Sequence, residues 1–161
     1  MTDKFIENMI SASAHGRYLL QIPIDRPKGL LVGFHGHAET AENIMCQMTR
    51  IPGSPQWLLC SIQALHLFYS PRSNLVVASW MTSTLRRRTI SNNLHYVNSI
   101  LSETAFPKGG PPIVMVGFSQ GASMAYRSAL LGMTGVEGII ALAGDIPPEI
   151  HCLRHSKRPK V

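Results

Sequence analysis

Short apolar runs that alternate with amphipathic stretches are the main pattern along this 161-residue chain. Five runs predict strands, the first near a sheet edge because it ends at a proline. They are 17–23, Leu30–Phe34, 56–62, 113–116 and 136–144. Helical periodicity appears at 41–45, at 86–104 and after Gly121, with Asn92, Asn93 and Asn98 predicted off the buried face of the second helix.

Strands that alternate with helices predict a mostly parallel sheet with helices on both faces, an α/β fold. Residues 1–161 show no internal repeat and no domain boundary, so we predict one domain. Residues 63–84 show no clear period and are predicted to be a long irregular connection, a kind that is often functional. Its aromatic residues, among them Tyr69 and Trp80, either wall an acyl or alcohol pocket or make ordinary loop packing.

The sequence Gly117-Phe118-Ser119-Gln120-Gly121 separates the predicted strand at 113–116 from a helix. In a G-x-S-x-G turn of this kind, the serine adopts a strained backbone and lies over the helix N-terminus, where negative charge is favoured. Gly117 and Gly121 are small because strand and helix must pass closely there. The alternative is an ordinary strand-to-helix turn with a capping serine. The pattern favours Ser119 as a nucleophile.

A second candidate loop, His35-Gly36-His37, directly follows the predicted strand Leu30–Phe34. Such a loop supplies the second backbone N–H of the oxyanion hole in α/β-hydrolases, and backbone donors are fixed before reaction. We expect His37 to contribute its N–H rather than its ring. For His35, a structural role in pinning the loop is favoured over a role in proton transfer.

Composition and charge argue against several other classes of protein. The net charge is +6, and two clusters carry much of it: Arg86–Arg88 and the tail 154–160. No aromatic residues interleave these arginines, so solvated surface is favoured over nucleic-acid binding. The three cysteines, Cys46, Cys60 and Cys152, are odd in number and indicate free thiols in a reducing compartment. No apolar run reaches the ~20 residues of a membrane span, and no signal peptide is visible, so a cytoplasmic protein is expected.

Four segments of the sequence form one set: His35-Gly36-His37, Ala41-Glu42-Asn43, Gly117-Phe118-Ser119-Gln120-Gly121-Ala122 and Ala141-Leu142-Ala143-Gly144-Asp145-Ile146-Pro147. Together they resemble the phospholipase/carboxylesterase family of α/β-hydrolases, which includes the acyl-protein thioesterases and small bacterial carboxylesterases. The resemblance covers roughly residues 28–150 and implies a three-layer sandwich. It implies a serine hydrolase for small to medium esters or thioesters, without cofactor or metal. It also implies Ser119 as nucleophile, with the N–H groups of Gln120 and His37 as the oxyanion hole.

The end of the sequence departs from the family pattern, in which the triad Asp and His each follow a later strand. Asp145 comes one strand too early, and His151 and His155 follow it within about ten residues. Two further strand–helix units need about 40–60 residues. We therefore expect the sheet to miss its last strands, the triad Asp and His to lie beyond Val161, and the chain alone to give no ester burst. An open strand edge favours self-association into a homo-oligomer.

Three functions stay open on this evidence. The first is a serine esterase or thioesterase whose catalytic Asp and His come from outside the chain. The second is an inactive hydrolase-fold chain that binds an acyl ligand or a protein partner. The third is a compact enzyme that uses Asp145 with His151 or His155.

Overall fold

The computed structural model describes residues 5–104, 110–132 and 135–151. Seven strands lie within these ranges: β1 (Tyr18–Gln21), β2 (Leu30–Phe34), β3 (Leu58–Ile62), β4 (His66–Tyr69), β5 (Val76–Ser79), β6 (Ile113–Phe118) and β7 (Gly138–Leu142). Five of them form one sheet in the order β1-β3-β2-β6-β7. β1 is antiparallel to β3 at one edge, and the other neighbours are parallel. The predicted mostly parallel sheet and the edge position of the first strand are confirmed.

Helices cover both faces of this sheet, as predicted. They are α1 (Ala41–Met48), α2 (Arg86–Glu103), α3 (Gln120–Leu131) and the short α4 (Pro148–His151). Alternate residues of β2 face opposite ways, because successive side chains of a strand point to opposite sides. Leu30, Val32 and Phe34 pack with α2 and α3, whereas Leu31 packs with α1 on the other face. The central strands are therefore buried on both sides.

The prediction of an irregular segment at 63–84 is wrong, because β4 and β5 form an antiparallel hairpin there. The turn closes with a bond from the Ser70 N–H to the Leu75 carbonyl at 2.9 Å, and Asn74 has a positive φ of 54°. Asparagine tolerates this left-handed backbone better than most residues. Trp80, just after β5, is fully buried, and its ring lies 5.4 Å from that of Phe34, centroid to centroid. Trp80 thus belongs to the core, whereas Tyr69 is largely exposed.

Asn93 on α2 is a further correction, since it is buried rather than off the packed face. Its Nδ2 donates a 2.7 Å hydrogen bond to the Trp80 carbonyl. A polar side chain is tolerated in a core when it finds such a partner. The helix therefore anchors the chain that leaves β5.

β7 is only half-buried, although its sequence predicts a buried strand. Within the described part of the chain it pairs with β6 alone. Ile139 is buried, but Ile140 and Leu142 are 36% and 49% exposed. Self-association through this edge stays a prediction. No helix among residues 5–104, 110–132 and 135–151 has the length and apolar character needed to cross a membrane.

Candidate active site

Ser119 lies at the junction of β6 and α3 with φ 52° and ψ −117°. A residue other than glycine in this region of backbone space costs on the order of 1–3 kcal/mol, so its surroundings must hold it there. One such restraint is the Ser119 N–H, which donates a 2.8 Å bond to the Leu142 carbonyl at the end of β7. The strained conformation expected of a G-x-S-x-G turn is present.

Two glycines of the motif are required because α3 passes close to both β6 and β2. A Cβ on Gly117 would lie 2.4 Å from the Gly121 carbonyl oxygen. A Cβ on Gly121 would lie 2.0 Å from the carbonyl oxygen of Phe34 in β2. Sequence reasoning missed a third such position, Gly144, whose Cβ would lie 2.3 Å from the Ser119 carbonyl oxygen. The turn 117–121, which we call the elbow, is thus tightly packed within itself, against Phe34 of β2 and against Gly144.

Hydrogen bonds within the loop and hydrogen bonds to β5 both fix the loop that follows β2. Inside the loop, the Gly36 N–H donates to the Glu39 carboxylate at 2.7 Å. Toward β5, the Ala38 N–H donates to the Ala78 carbonyl, and the Ala78 N–H donates to the Glu39 carbonyl, both at 3.0 Å. Ala38 itself has a positive φ of 59°. These bonds fix the backbone on either side of His37, the predicted second oxyanion donor.

The ring of His37 is exposed and stacks on Phe68 of the hairpin, with ring centroids 5.4 Å apart and planes at 23°. The His37 ring is therefore directed toward β4. The hydrogen bonds of the loop fix the His37 backbone, and with it the backbone N–H, rather than the ring. The oxyanion roles of the His37 and Gln120 N–H groups stay predictions.

His35 is fully buried at the start of this loop. Its Nδ1 donates to the Gly36 carbonyl at 2.7 Å, and its Nε2 accepts from the Ala64 N–H at 3.1 Å. An imidazole that donates from one nitrogen and accepts at the other is neutral. Burial lowers the pKa of His35, although the Gly36 bond and the nearby Glu39 and Glu42 charges oppose the shift. The contacts support a structural role for His35 rather than one in proton transfer.

The lowered pKa of His35 predicts a loss of stability in mild acid. The unfolded chain takes up a proton at the ordinary pKa near 6.5, which the folded chain resists. The free energy of unfolding should therefore fall with pH below about 6.5, by up to about 1.4 kcal/mol per pH unit until the folded pKa is reached. Chemical denaturation between about pH 5 and 7 measures this slope.

The matched variants are His35→Gln and His95→Gln, since His95 is exposed on α2. His35→Gln removes the titrating ring and should flatten the slope. His95→Gln should keep it. An equal slope in His35→Gln and the unmodified protein would contradict the assignment.

The side chain of Gln120, the first residue of α3, is a further feature that sequence reasoning missed. Its Oε1 accepts from the Trp80 N–H at 2.8 Å, and its Nε2 donates to the Met81 carbonyl at 3.1 Å. The Ser79 hydroxyl lies 3.2 Å from Oε1 and 3.1 Å from Nε2. The motif predicts only a backbone role for this residue, because its carboxamide partners are distant in sequence.

Within the described ranges, the hydrogen bonds of the candidate acid Asp145 and the candidate base His151 do not involve Ser119. The Asp145 carbonyl accepts from the Ser123 hydroxyl on α3 at 3.1 Å. His151 Nε2 lies 3.1 Å from the Ile146 carbonyl. In the part of the chain that the structure describes, neither group forms a hydrogen bond with the Ser119 hydroxyl. His155 lies outside the described residues, so the compact triad of Asp145 with His155 is a prediction that the structure does not address.

No group of three or more His, Cys, Asp or Glu side chains with a geometry suited to a metal ion occurs among residues 5–104, 110–132 and 135–151. Of the predicted free thiols, Cys46 is exposed, and Cys60 is buried with a pKa that burial raises to about 12. Cys60 is therefore a protonated core residue. Cys152 lies outside the described residues.

The sequence matches one known protein family, and the fold matches several solved structures. Residues 78–160, just over half of the chain, match the family profile described as Phospholipase/Carboxylesterase. No curated protein matches the sequence significantly.

Three solved structures share the fold. Acyl-protein thioesterase 2 of Zea mays is 17% identical with a TM-score of 0.64, over 86% of this chain and 69% of its own. The Bacillus cereus carboxylesterase is 17% identical with a TM-score of 0.62, over 91% and 65%. A phospholipase/carboxylesterase from Dyadobacter fermentans is 21% identical with a TM-score of 0.58, over 83% and 62%. The chain spans about two thirds of the length of these proteins.

Proposed function

Because the chain belongs to the phospholipase/carboxylesterase family of α/β-hydrolases, we propose that it is a serine hydrolase. Its proposed substrates are carboxylic esters or thioesters with small to medium acyl groups. One observation carries the proposal: Ser119 holds a strained backbone, φ 52° and ψ −117°, at the N-terminus of α3. Side-chain-free Gly117 and Gly121 allow that geometry. A capping serine in an ordinary turn needs neither the strain nor the two glycines.

The proposed chemistry is acyl transfer through Ser119. Its Oγ attacks the acyl carbon, its proton passes to a base, and the carbonyl electrons move to an oxyanion. The N–H groups of Gln120 and His37 are the proposed donors to that oxyanion, assisted by the N-terminus of α3. The C–O or C–S bond then breaks as the base returns the proton to the leaving group, and water hydrolyses the acyl-enzyme.

The proposal requires a base from outside the described residues. Without it the serine hydroxyl stays protonated and is a poor nucleophile. Three sources of the base are open to test. The first is the undescribed residues, among them His155, the second is a longer form of the protein, and the third is a partner chain. Each would have to bring an imidazole to the Ser119 hydroxyl.

A second candidate is an inactive chain that binds an acyl ligand or a protein partner at the same elbow. The observation that favours it is that no histidine within the described ranges forms a hydrogen bond with the Ser119 hydroxyl. This candidate keeps the fold and the elbow and predicts binding without covalent chemistry.

Burst kinetics with chromogenic acetate and butyrate esters separate the two candidates. The protein, at the length that its own cells produce, should release about one equivalent of chromophore rapidly near pH 8 and then turn over more slowly. The burst arises because acylation of Ser119 precedes a slower deacylation. Retention of the ester without chromophore release would instead support the binding candidate.

A further inference from the structure

The end of β5 contacts the predicted oxyanion loop. Two backbone bonds join Ala78 to this loop, one from the Ala38 N–H and one to the Glu39 carbonyl, both at 3.0 Å. Two residues on, the buried indole of Trp80 donates from Nε1 to the His35 carbonyl at 2.9 Å. The loop is thus bonded on both sides of His37 to one short stretch of chain, residues 78–80.

The same stretch is bonded to the elbow by a single side chain. The carboxamide of Gln120 accepts from the Trp80 N–H at 2.8 Å and donates to the Met81 carbonyl at 3.1 Å. Both ends of the carboxamide therefore bond to main-chain groups just after β5, and the Ser79 hydroxyl at the end of β5 is a further partner. Residues 78–81 form a strut, one end on the loop around His37 and the other on Gln120.

We propose that the carboxamide of Gln120 is a positioning residue that, through this strut, sets the separation of the two oxyanion donors. The inference rests on the proposed function, because it concerns the same two N–H groups of Gln120 and His37. Two donors stabilise an oxyanion only when both point at the place where charge develops. A displacement of about 1 Å at such a site can cost about 100-fold in rate. The hydrogen bonds between the Gln120 carboxamide and the strut limit that displacement.

Substitution of this side chain is informative because it leaves the Gln120 backbone N–H in place. Any loss of rate then reports the position of the donor rather than its removal. Gln120→Met keeps the length of the side chain and removes its hydrogen bonds to Ser79, Trp80 and Met81. Gln120→Glu keeps an acceptor for the Trp80 N–H, but its ionised carboxylate cannot donate to the Met81 carbonyl. When protonated it can donate again.

In steady-state hydrolysis of a chromogenic acetate, Gln120→Met should lower kcat by about 10- to 100-fold with KM changed by less than about 2-fold. The ratio of Gln120→Glu to unmodified kcat should rise as pH falls, because protonation restores the donor. The control is Gln63→Met, which removes another buried carboxamide, one whose Oε1 accepts from the Ala41 N–H at 2.8 Å. It should leave kcat within about 2-fold. Unchanged kcat in Gln120→Met, or a rise in KM alone, would overturn the inference.

Amide hydrogen exchange, followed by NMR, tests the strut without any need for catalysis. Gln120→Met should speed exchange at the Trp80 indole and the Ala38 amide by about 10-fold, because the strut is freed at one end. Gln63→Met should leave both rates unchanged. If the unmodified protein hydrolyses no ester, the proposed function fails, and the exchange rates still decide the inference. Equal exchange in Gln120→Met and the unmodified protein would overturn it in either case.

Discussion

Ester turnover should fall by about 10⁶-fold when Ser119 is replaced with alanine, the size of loss seen when the nucleophile of a serine triad is removed. No acyl-enzyme can form without the hydroxyl, so the burst should vanish with the turnover. About 10³–10⁴-fold acceleration over water should persist if the two proposed N–H donors stabilise charge in direct attack by water. The measurement is the initial and steady rates of chromogenic acetate hydrolysis near pH 8, on the protein at the length that its own cells produce.

Ser123→Ala is the matched control for this variant. Ser123 lies one turn further along α3, and its hydroxyl donates to the Asp145 carbonyl rather than to any group of the elbow. Ser123→Ala should keep the burst, and its turnover rate should stay within about 3-fold of that of the unmodified protein, because one exposed hydrogen bond contributes only about 1 kcal/mol. A Ser119→Ala protein that still shows a full burst would exclude Ser119 as the nucleophile.

The second large effect concerns stability, and it should oppose helix propensity. Alanine at Gly121 should favour α3 intrinsically, by about 1 kcal/mol relative to glycine. The added Cβ would lie 2.0 Å from the Phe34 oxygen and 2.6 Å from the His35 oxygen, however, and both are backbone atoms that cannot rotate away. α3 would have to move off β2. We expect Gly121→Ala to lower the free energy of unfolding by about 3 kcal/mol or more, as overpacking against backbone does.

Urea denaturation measures this loss, with Gly135→Ala as the control. A Cβ on Gly135 meets no atom of residues 5–104, 110–132 or 135–151 within 4 Å, and the residue is exposed. Its substitution should therefore change the free energy of unfolding by no more than about 0.5 kcal/mol. If Gly121→Ala matches Gly135→Ala, then the close passage of β2 and α3 does not constrain the elbow.

Local sequence was sufficient to predict the elements whose signals are self-contained. Gly117 and Gly121 around Ser119 predict the strained turn, because only absent side chains permit it. The apolar run of β2 predicts a strand buried on both faces, which is observed. The proline after 17–22 predicts the edge position of β1, because proline has no N–H to donate to a neighbouring strand.

Features that depend on distant partners could not be predicted in this way. Asn93 is buried because the Trp80 carbonyl accepts from it, and nothing on its own helix indicates that acceptor. The Gln120 carboxamide is likewise committed to Trp80 and Met81, some 40 residues earlier. The hairpin β4–β5 did have a local signal, a turn with Asn74 between two short apolar runs, but the runs are too brief to outweigh the polar residues around them.

The central claim, that Ser119 is an activated nucleophile, is tested most directly by a serine-directed fluorophosphonate, which forms a covalent adduct with such a serine only. Trypsin cleavage after Lys108 and Arg127 gives one peptide that contains two serines, Ser119 and Ser123. Mass spectrometry should find one phosphonate per chain, on Ser119, in the unmodified protein and in Ser123→Ala, and none in Ser119→Ala. Equal labelling of Ser119→Ala, or no label on any form at the length the cells produce, would contradict the claim.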